Sequence, residues 1–285
     1  MLVADERIDG VAFTGSTETA RAINRALAGR EGPIVPLIAE TGGQNAMIVD
    51  STALPEQVVG DAVFSEFRSA GQRCSALRVL FAQANIADKV IRMLAGATRE
   101  LRLGDPALLE TDVGPVIDTE AMAMLEAHAE PMNGVGKLLC QADLPQGSQG
   151  GHFFAPRAYE IASLDLLERE VFGPILHVIR FDGDDVEGVI DAINATGYGL
   201  TLGVHSRIDS VHARAAARVR AGNAYINRNM IGAVVGVQPF GGEGLSGTGP
   251  KAGGPRYLHR FAVERTLSVN TTAAGGNAAL MSLSE

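Results

Sequence analysis

The first structural unit of the chain begins with the run IDGVAFTGST, residues 8–17. Residues 8–14 alternate toward an apolar strand, and Gly15-Ser16-Thr17 is typical of the start of a helix, which we expect to end near Gly29. A second apolar run at residues 34–40 predicts the next strand. Strand, helix and strand in this order form a β-α-β unit, which indicates parallel strands in one sheet.

The same alternation continues along the chain. We expect strands at residues 46–49, 78–82, 137–140, 154–161, 175–181 and 201–205, and helices at residues 54–67, 86–100, 119–130, 186–194 and 210–219. The helix at 54–67 is predicted to be capped near Ser51 or Thr52. Strands that alternate with helices predict an α/β fold with a mostly parallel, doubly wound sheet. Residues 146–151 are predicted to form an exposed loop, and residues 270–285 a partly extended or disordered tail.

Composition narrows the class of protein. The 285 residues are 46% hydrophobic and 20% charged, which is typical of a globular chain of one large domain or two small ones. No apolar run approaches the ~18 residues of a membrane span, and the N-terminus lacks a signal-peptide core, so we expect a cytoplasmic location. A net charge of −9 argues against a nucleic-acid surface.

The chain has two cysteines, Cys74 and Cys140, which are far apart in sequence. Without a close Cys pair or His-rich spacing, neither a disulfide scaffold nor a metal site is expected. Cys140 is predicted to be a small buried strand residue.

Cys74 lies in the run SAGQRCSA, residues 69–76, and it follows Glu40 of the run AETGGQN, residues 39–45, by 34 positions. Small residues around Cys74 permit a tight loop, and Arg73 adds a positive charge that favours a thiolate. A thiolate can attack an electrophilic carbon, and a carboxylate can relay protons and activate water. The pair therefore indicates covalent catalysis. Taken alone, a mid-chain cysteine is more often inert packing, and Glu40 is as readily an exposed strand-end carboxylate.

Three further runs support an identification: FTGSTE at 13–18, EVFGP at 170–174 and QPFGG at 238–242. In this order and at these separations, the runs resemble the NAD(P)-dependent aldehyde dehydrogenases. The runs ETGGQN at 40–45 and GQRCSALR at 71–78, together with residues 231–255, are similar to the pyrroline-5-carboxylate (glutamate semialdehyde) dehydrogenases. They are most similar to the dehydrogenase half of the bifunctional proline utilization A family.

The resemblance implies a role for each matching residue. Cys74 is the nucleophile that forms a thiohemiacetal and then a thioester, and Glu40 is the general base that activates water for thioester hydrolysis. The residues implied in binding the NAD cofactor are Gly15, Ser16, Thr41, Gly42, Glu170 and Phe172. Of these, Ser16 adds a hydroxyl to the helix N-terminus that receives the pyrophosphate, and Glu170 accepts hydrogen bonds from the nicotinamide ribose.

The substrate loop is assigned to residues 231–237. Backbone N–H groups at Gly232 and Ala233, with the Ser75 hydroxyl, form a nest that would hold a carboxylate distal to the aldehyde. Arg73 is a further candidate for binding the substrate, and Phe240 would wall the pocket, although its alternative role is ordinary core. The run GLSGTGPK at 244–251 superficially resembles a phosphate-binding P-loop, but Pro250 precedes the lysine and no apolar strand leads into the run.

The resemblance also divides the chain. We expect residues 1–40 to be the C-terminal remnant of a Rossmann-type NAD-binding domain, and residues 41–245 to be an aldehyde dehydrogenase-like catalytic domain. Residues 246–285 would form a return segment, an oligomerisation strand and a tail. Because the resembled family carries a long cofactor-binding half before the remnant, the chain is expected to be an N-terminally truncated portion, weak or inactive in isolation.

The leading prediction is NAD-dependent oxidation of L-glutamate γ-semialdehyde to glutamate in proline catabolism. The implied partners are a small aldehyde substrate, a second copy of the chain bound through the C-terminal strand, and a proline dehydrogenase domain in the full-length protein. Two alternatives remain open: a dehydrogenase for another small aldehyde, and a catalytically incompetent fragment or interaction module.

Overall fold

The computed structural model describes residues 2–144, 150–183, 185–270 and 282. Within them the chain forms six α-helices: α1 (Thr17–Ala28), α2 (Pro55–Phe67), α3 (Ala84–Arg99), α4 (Thr119–Val135), α5 (Val186–Ala195) and α6 (Asp209–Arg218). The strands are β1 (Val11–Thr14), β2 (Leu37–Glu40), β3 (Ala46–Val49), β4 (Val79–Gln83), β5 (Lys137–Gln141), β6 (Arg157–Glu160), β7 (Ile175–Phe181), β8 (Tyr198–Gly199), β9 (Thr201–His205), β10 (Asn223–Ile226) and β11 (Glu243–Gly244).

Seven strands form the main sheet in the order β10-β9-β3-β4-β7-β6-β5. Every neighbouring pair is parallel except β5 and β6. The expected α/β fold with a mostly parallel sheet is therefore confirmed. β3 is buried at all four positions, as a parallel strand covered on both faces must be.

Two small sheets accompany the main one. β1 and β2 form a parallel pair in which Thr14 lies opposite Glu40. β8 and β11 form a short antiparallel pair. The Ser246 hydroxyl accepts a hydrogen bond from the Gly199 N–H, 3.0 Å, and fixes the return segment against β8. The predicted domain boundaries remain predictions.

Several element boundaries differ from expectation. β2 begins at Leu37 rather than residue 34, because Pro36 has no N–H to donate to a ladder. The predicted cap of α2 at Ser51 or Thr52 is wrong: the N-cap is Leu54, which makes no side-chain cap bond, and Pro55 occupies the first turn. α4 continues through Pro131 to Val135 and buries Met132 in the core.

β8, β10 and β11 were not predicted. Most of the loop predicted at 146–151 and of the tail predicted at 270–285 lies outside the described residues. Between residues 246 and 270 the structure has a 3₁₀ turn at Leu258–Phe261 and no strand, so the oligomerisation strand stays a prediction.

No helix among the described residues is long and apolar enough to cross a membrane.

Candidate active site

The candidate site lies where the two larger sheets meet. The carboxyl ends of β1 and β2 point toward it. They are held together there by a hydrogen bond of 3.1 Å from the Gly15 N–H to the Glu40 carbonyl. The segments that enter the main sheet approach it from the other side. Residues 41–45 lead into β3, residues 72–78 into β4 and residues 170–174 into β7. The predicted residues Glu40, Cys74 and Glu170 thus come together at the amino edge of the main sheet.

Glu40 is held in a cradle of glycines. The Gly242 N–H donates to its Oε2 atom, 2.9 Å, while Oε1 has no hydrogen-bond partner among the described residues. A Cβ atom added at Gly241 would lie 2.6 Å from Oε1, and one at Gly247 would lie 2.9 Å from Oε2. Only bare backbone can approach this carboxylate so closely. Glu40 is 8% exposed, and its burial raises its pKa from 4.5 to about 7, against the opposing effects of the Gly242 N–H and of Lys251.

Lys251 faces the same carboxylate and anchors the cradle. Its Nζ donates to the Gly222 carbonyl and to Asn223 Oδ1, and Asn223 Oδ1 in turn accepts from the Gly241 N–H at 3.4 Å. Lys251 therefore adds a positive charge that favours ionised Glu40 and fixes the turn that contacts it. A carboxyl with a pKa near neutrality is suited to general-base chemistry.

The loop before Cys74 is strained. Ser69, Ala70 and Gly71 have consecutive positive φ angles of 55°, 53° and 65°. A left-handed conformation costs a non-glycine residue roughly 1–2 kcal/mol. At Gly71 the tight path requires glycine, because a Cβ atom would lie 2.4 Å from the Gly173 carbonyl oxygen. Such strain persists only where surrounding contacts impose it, and it is common at functional sites.

Cys74 is partly exposed, outside the hydrophobic core. Burial raises the pKa of its thiol, and the charges of Glu170 and, more weakly, Glu40 raise it further. The backbone N–H groups of Ser75 and of Cys74 itself oppose this shift. The structure therefore brings the predicted nucleophile and the predicted base into electrostatic contact. Cys140 is buried in β5 and belongs to the core.

Glu170 is turned inward in this structure. Its Oε1 forms an ion pair with Arg78 Nη2 at 3.3 Å, and its side chain is 13% exposed. A Cβ atom at Gly42 would lie 1.7 Å from Glu170 Oε2, so the carboxylate packs directly on that bare backbone. Burial raises the pKa of Glu170, and Arg78 opposes the shift. Phe172 is 39% exposed, and the Arg78 guanidinium stands 5.5 Å from the centre of its ring.

The α1 N-terminus borders this region. Ser16 caps α1 by accepting from the Thr19 N–H at 3.1 Å. Thr17 and Thr41 both donate their hydroxyls to the Leu245 carbonyl, at 3.4 and 2.5 Å, which ties the start of α1 to the segment after Glu40. The first-turn N–H groups of a helix have no partner within it and can bind an anion.

The residues predicted to bind substrate are only partly gathered. Ser75 is buried next to Cys74, whereas Arg73 is exposed and donates from Nε to Ser69 Oγ at 3.0 Å. Gly232 is exposed with φ 73°, and Ala233 is half-buried. Within the described residues, the N–H groups of Gly232 and Ala233 make no hydrogen bond, so both donors are open, but no contact joins them to Ser75.

Phe240 is half-buried and pairs through its backbone with Ala252, by bonds of 3.0 and 2.8 Å. The structure thus places Phe240 directly before Gly241 and Gly242, which contact the Glu40 carboxylate.

Sequence reasoning missed the groups that hold the site. Arg78, Glu66, Asn45 and Lys251 make the buried contacts around Cys74 and Glu40, yet no role was predicted for them. Asn45 and Arg78 lie inside the two quoted runs, which was a usable signal. Glu66 lies inside α2, where nothing in the sequence distinguishes it from a solvent-facing carboxylate.

A cavity of about 610 Å³ lies between α1, β2 and residues 244–248. It touches Thr17 and Thr41 but neither Cys74 nor Glu40, so the candidate site is assigned from its chemistry rather than from cavity size. Among the described residues, no group of three or more His, Cys, Asp or Glu side chains is arranged to hold a metal ion.

The residues present fit the nicotinamide end of a dinucleotide. Gly42 and Gly43 offer bare backbone beside the Cys74 loop, and Glu170 supplies a carboxylate there. A flat ring can approach such backbone closely, and a carboxylate can accept from ribose hydroxyls. In the present arrangement Glu170 would have to leave Arg78 to do so.

The model of the aldehyde dehydrogenase family matches residues 1–267. Over 280 residues the chain is 55% identical to the bifunctional protein PutA of Salmonella typhimurium, and the aligned region covers 95% of this chain and 21% of that protein. Over 274 residues it is 34% identical to the 1-pyrroline-5-carboxylate dehydrogenase of Geobacillus thermodenitrificans, covering 94% and 52% respectively.

Solved structures agree. The crystal structure of a bifunctional proline utilization A protein matches with a TM-score of 0.91 and 61% identity, over 96% of this chain and 28% of that one. The 1-pyrroline-5-carboxylate dehydrogenase from Thermus with bound NAD matches with a TM-score of 0.84 and 35% identity, over 91% of this chain and 50% of that one. The chain spans about a fifth of the length of the PutA relative and about half that of the dehydrogenase relative.

Proposed function

This chain belongs to the aldehyde dehydrogenase family, and on that premise we propose that it carries the catalytic residues for NAD-dependent oxidation of L-glutamate γ-semialdehyde to glutamate. The observation that supports this most directly is the pairing of Cys74 with Glu40, a buried carboxyl whose pKa is about 7. The names of the relatives, which include 1-pyrroline-5-carboxylate dehydrogenase, favour this aldehyde over others.

The proposed first half-reaction forms a bond between the Cys74 sulfur and the aldehyde carbon. The carbonyl oxygen becomes an oxyanion, which the Cys74 N–H can stabilise. Bound NAD would supply the acceptor for the hydride of this carbon. Collapse of the oxyanion then leaves a thioester on Cys74. Gly42 and Gly43 keep the space beside the sulfur open for the nicotinamide.

In the second half-reaction, Glu40 removes a proton from water while the water oxygen attacks the thioester carbon. The carbon–sulfur bond breaks, glutamate leaves, and Cys74 returns as the thiolate. The free Oε1 atom of Glu40 is the acceptor available for that proton. A pKa near 7 leaves a sizeable ionised fraction at neutral pH while keeping the carboxylate basic.

Substrate selection is proposed to rest on the far carboxylate of the semialdehyde. The Ser75 hydroxyl lies beside the nucleophile, and the open N–H groups of Gly232 and Ala233 add two donors of the kind that bind anions. Arg73 and Phe240 complete the proposed pocket.

The proposal extends to cofactor contacts and partners. Gly15, Ser16, Thr41, Gly42, Glu170 and Phe172 are proposed to contact NAD. Val263, Leu267 and Val269 expose 94%, 79% and 70% of their surface, which supports assembly of the chain with a second copy through this segment. Relatives described as bifunctional favour a neighbouring proline dehydrogenase domain.

The test is pre-steady-state NAD reduction by the chain, alone and joined to the part of a 1-pyrroline-5-carboxylate dehydrogenase relative that it does not cover. With L-glutamate γ-semialdehyde we expect Cys74→Ala to abolish the signal. Glu40→Gln should retain a burst of one equivalent and lose steady turnover, because only hydrolysis needs the base.

Cys140→Ser, which replaces the cysteine that is not the proposed nucleophile, is the matched control. It should change neither the burst nor the steady turnover. Turnover by Cys74→Ala, or loss of the burst in Glu40→Gln, would contradict the assigned roles. Equal turnover of acetaldehyde would favour the alternative of another small-aldehyde dehydrogenase.

A further inference from the structure

Four successive carbonyl groups around the nucleophile are held by side chains from elsewhere. Arg78 Nη2 donates to the Arg73 carbonyl at 3.1 Å. Asn45 Nδ2 donates to the Cys74 and Ala76 carbonyls, at 2.7 and 2.8 Å. Thr201 Oγ1 donates to the Ser75 carbonyl at 3.3 Å. The loop is therefore oriented peptide by peptide.

Each held carbonyl shares a rigid plane with the next N–H. In a trans peptide the C=O of one residue and the N–H of the following residue point in opposite directions. Anchoring the Arg73 carbonyl therefore aims the Cys74 N–H, and anchoring the Cys74 carbonyl aims the Ser75 N–H. These two N–H groups are the ones that act to lower the pKa of the Cys74 thiol.

We propose that Asn45 and Arg78 are positioning residues, which hold the peptide units on either side of Cys74 so that both N–H groups point at its sulfur and favour the thiolate. The inference rests on the proposed function, in which Cys74 is the nucleophile.

Asn45 is suited to this role because its orientation is fixed. It is 3% exposed, and its Oδ1 atom accepts from the Thr201 N–H at 3.1 Å, so its amide cannot rotate without losing a bond on each side. It stands directly before β3, whose first residue Ala46 pairs with Val79 of β4. Asn45, which holds the Cys74 loop, is therefore fixed in position relative to β4, the strand that the loop leads into.

Arg78 is fixed by a buried carboxylate. It is 2% exposed, and Nη1 donates to Glu66 Oε2 and to the Gly173 carbonyl, at 3.3 and 3.2 Å. Glu66 is fully buried, and Arg78 opposes the rise in its pKa that burial causes. Because Glu66 holds Nη1 of the guanidinium, Nη2 is directed at the Arg73 carbonyl and at Glu170.

The charges around the sulfur show why positioning matters. The carboxylates of Glu170 and Glu40 both face Cys74 and disfavour the thiolate, as does burial. Against these stand the two N–H groups, and Arg78 also offsets the charge of Glu170 through their ion pair. Removing either anchor should therefore leave less thiolate at a given pH.

The test is the pH dependence of the rate at which iodoacetamide alkylates Cys74, measured in a Cys140→Ser background so that one thiol remains. Iodoacetamide is neutral, so changes in protein charge do not alter its approach. For Asn45→Ala and for Arg78→Lys we expect about tenfold slower alkylation at neutral pH, which is one pKa unit. At a pH where the thiol is fully ionised, both variants should reach the unmodified rate.

Thr201→Val is the matched control. It removes a buried hydrogen bond to the same loop, but it leaves in place the bond from Arg78 to the Arg73 carbonyl and the bond from Asn45 to the Cys74 carbonyl. Its pH profile should not move. Thermal unfolding establishes that each variant is folded, and one folded variant at either anchor decides the question.

Profiles that coincide with the unmodified chain, or a Thr201→Val profile that moves as far, would refute the proposal. If neither anchor variant folds while Thr201→Val does, both residues serve folding alone and the proposal is also refuted. Since alkylation needs neither aldehyde nor NAD, a failure of the proposed aldehyde oxidation leaves the result of this test intact.

Discussion

Glu40→Gln should stabilise the fold at alkaline pH while it removes the proposed base. The pKa of Glu40 rises from 4.5 in water to about 7 in the folded chain, chiefly through burial. At about 1.4 kcal/mol per pKa unit, the difference of 7 − 4.5 = 2.5 units corresponds to roughly 3 kcal/mol. Glu40 is 8% exposed, so solvent screens little of this cost.

The sign follows from linkage. Between pH 4.5 and 7 the folded state binds the proton more tightly than the unfolded state, so stability is greatest below 4.5 and is lost as the pH rises through about 7. Glutamine does not ionise, and its carbonyl oxygen can still accept from the Gly242 N–H. The variant should therefore exceed the parent by about 3 kcal/mol near pH 8 and by only about 1 kcal/mol near pH 5.

Urea unfolding at the two pH values measures this difference. The chain contains no tryptophan, so far-ultraviolet circular dichroism is the suitable signal. With a urea slope of about 2–3 kcal/mol per molar, the midpoint should rise by about 1 M more at pH 8 than at pH 5. Glu126→Gln, at an exposed position of α4, is the matched control and should shift neither midpoint. Equal gains for Glu40→Gln at both pH values would refute the assignment of a buried, proton-retaining carboxyl.

Two other variants probe the neighbouring parts of the site. Ser75→Ala is to be measured in the chain joined to the part of a dehydrogenase relative that it does not cover. It should lower kcat/KM for glutamate semialdehyde more than for acetaldehyde, by a factor that corresponds to roughly 1.5–3 kcal/mol, because the substrate carboxylate loses a charge-assisted hydrogen bond. Equal losses on both aldehydes would show that Ser75 does not select the substrate. Gly42→Ala should lower the free energy of unfolding by about 1–3 kcal/mol, because the new Cβ would lie 1.7 Å from Glu170 Oε2 and displace the end of this side chain from Arg78. The control is Gly60→Ala inside α2, where an added Cβ meets nothing within 4 Å; this variant should gain about 0.5–1 kcal/mol of stability. If Gly42→Ala is as stable as the parent chain, Glu170 does not pack on Gly42 as described.

The sequence predicted the central strands well for a physical reason. β3, β7 and β9 lie where expected, residue for residue, because a parallel strand covered on both faces is rich in apolar residues, as the uninterrupted AMIV of β3 shows most clearly. Prediction failed where tertiary contacts override local signals. α4 passes Pro131 since Met132 is in the core and Asn133 accepts from the Tyr159 hydroxyl at 3.2 Å.

The chemistry of the site could be predicted only as far as residue types carry it. Cys74 and Glu40 could be predicted from the sequence runs that contain them, and the structure brings the two residues together. The cradle of Glu40 could not be predicted, because Gly241, Gly242 and Lys251 lie some 200 residues away and approach it only through the fold. Likewise, a guanidinium shared between Glu66 and Glu170 joins α2 to the segment before β7, and no local pattern encodes that pairing.

The position of the site at the amino edge of the main sheet has a consequence for engineering. Parallel α/β sheets usually bind ligands at their carboxyl edge. Here that edge carries its own polar contacts, in which Ser206 donates from its hydroxyl to Asp50 and from its backbone N–H to Asn227 Oδ1. The turns beyond it, such as Gly183 after β7, are thus separated from the reacting groups by the length of a strand. Affinity tags, labels or linkers to a surface placed there would lie at the edge of the sheet opposite to Glu40 and Cys74.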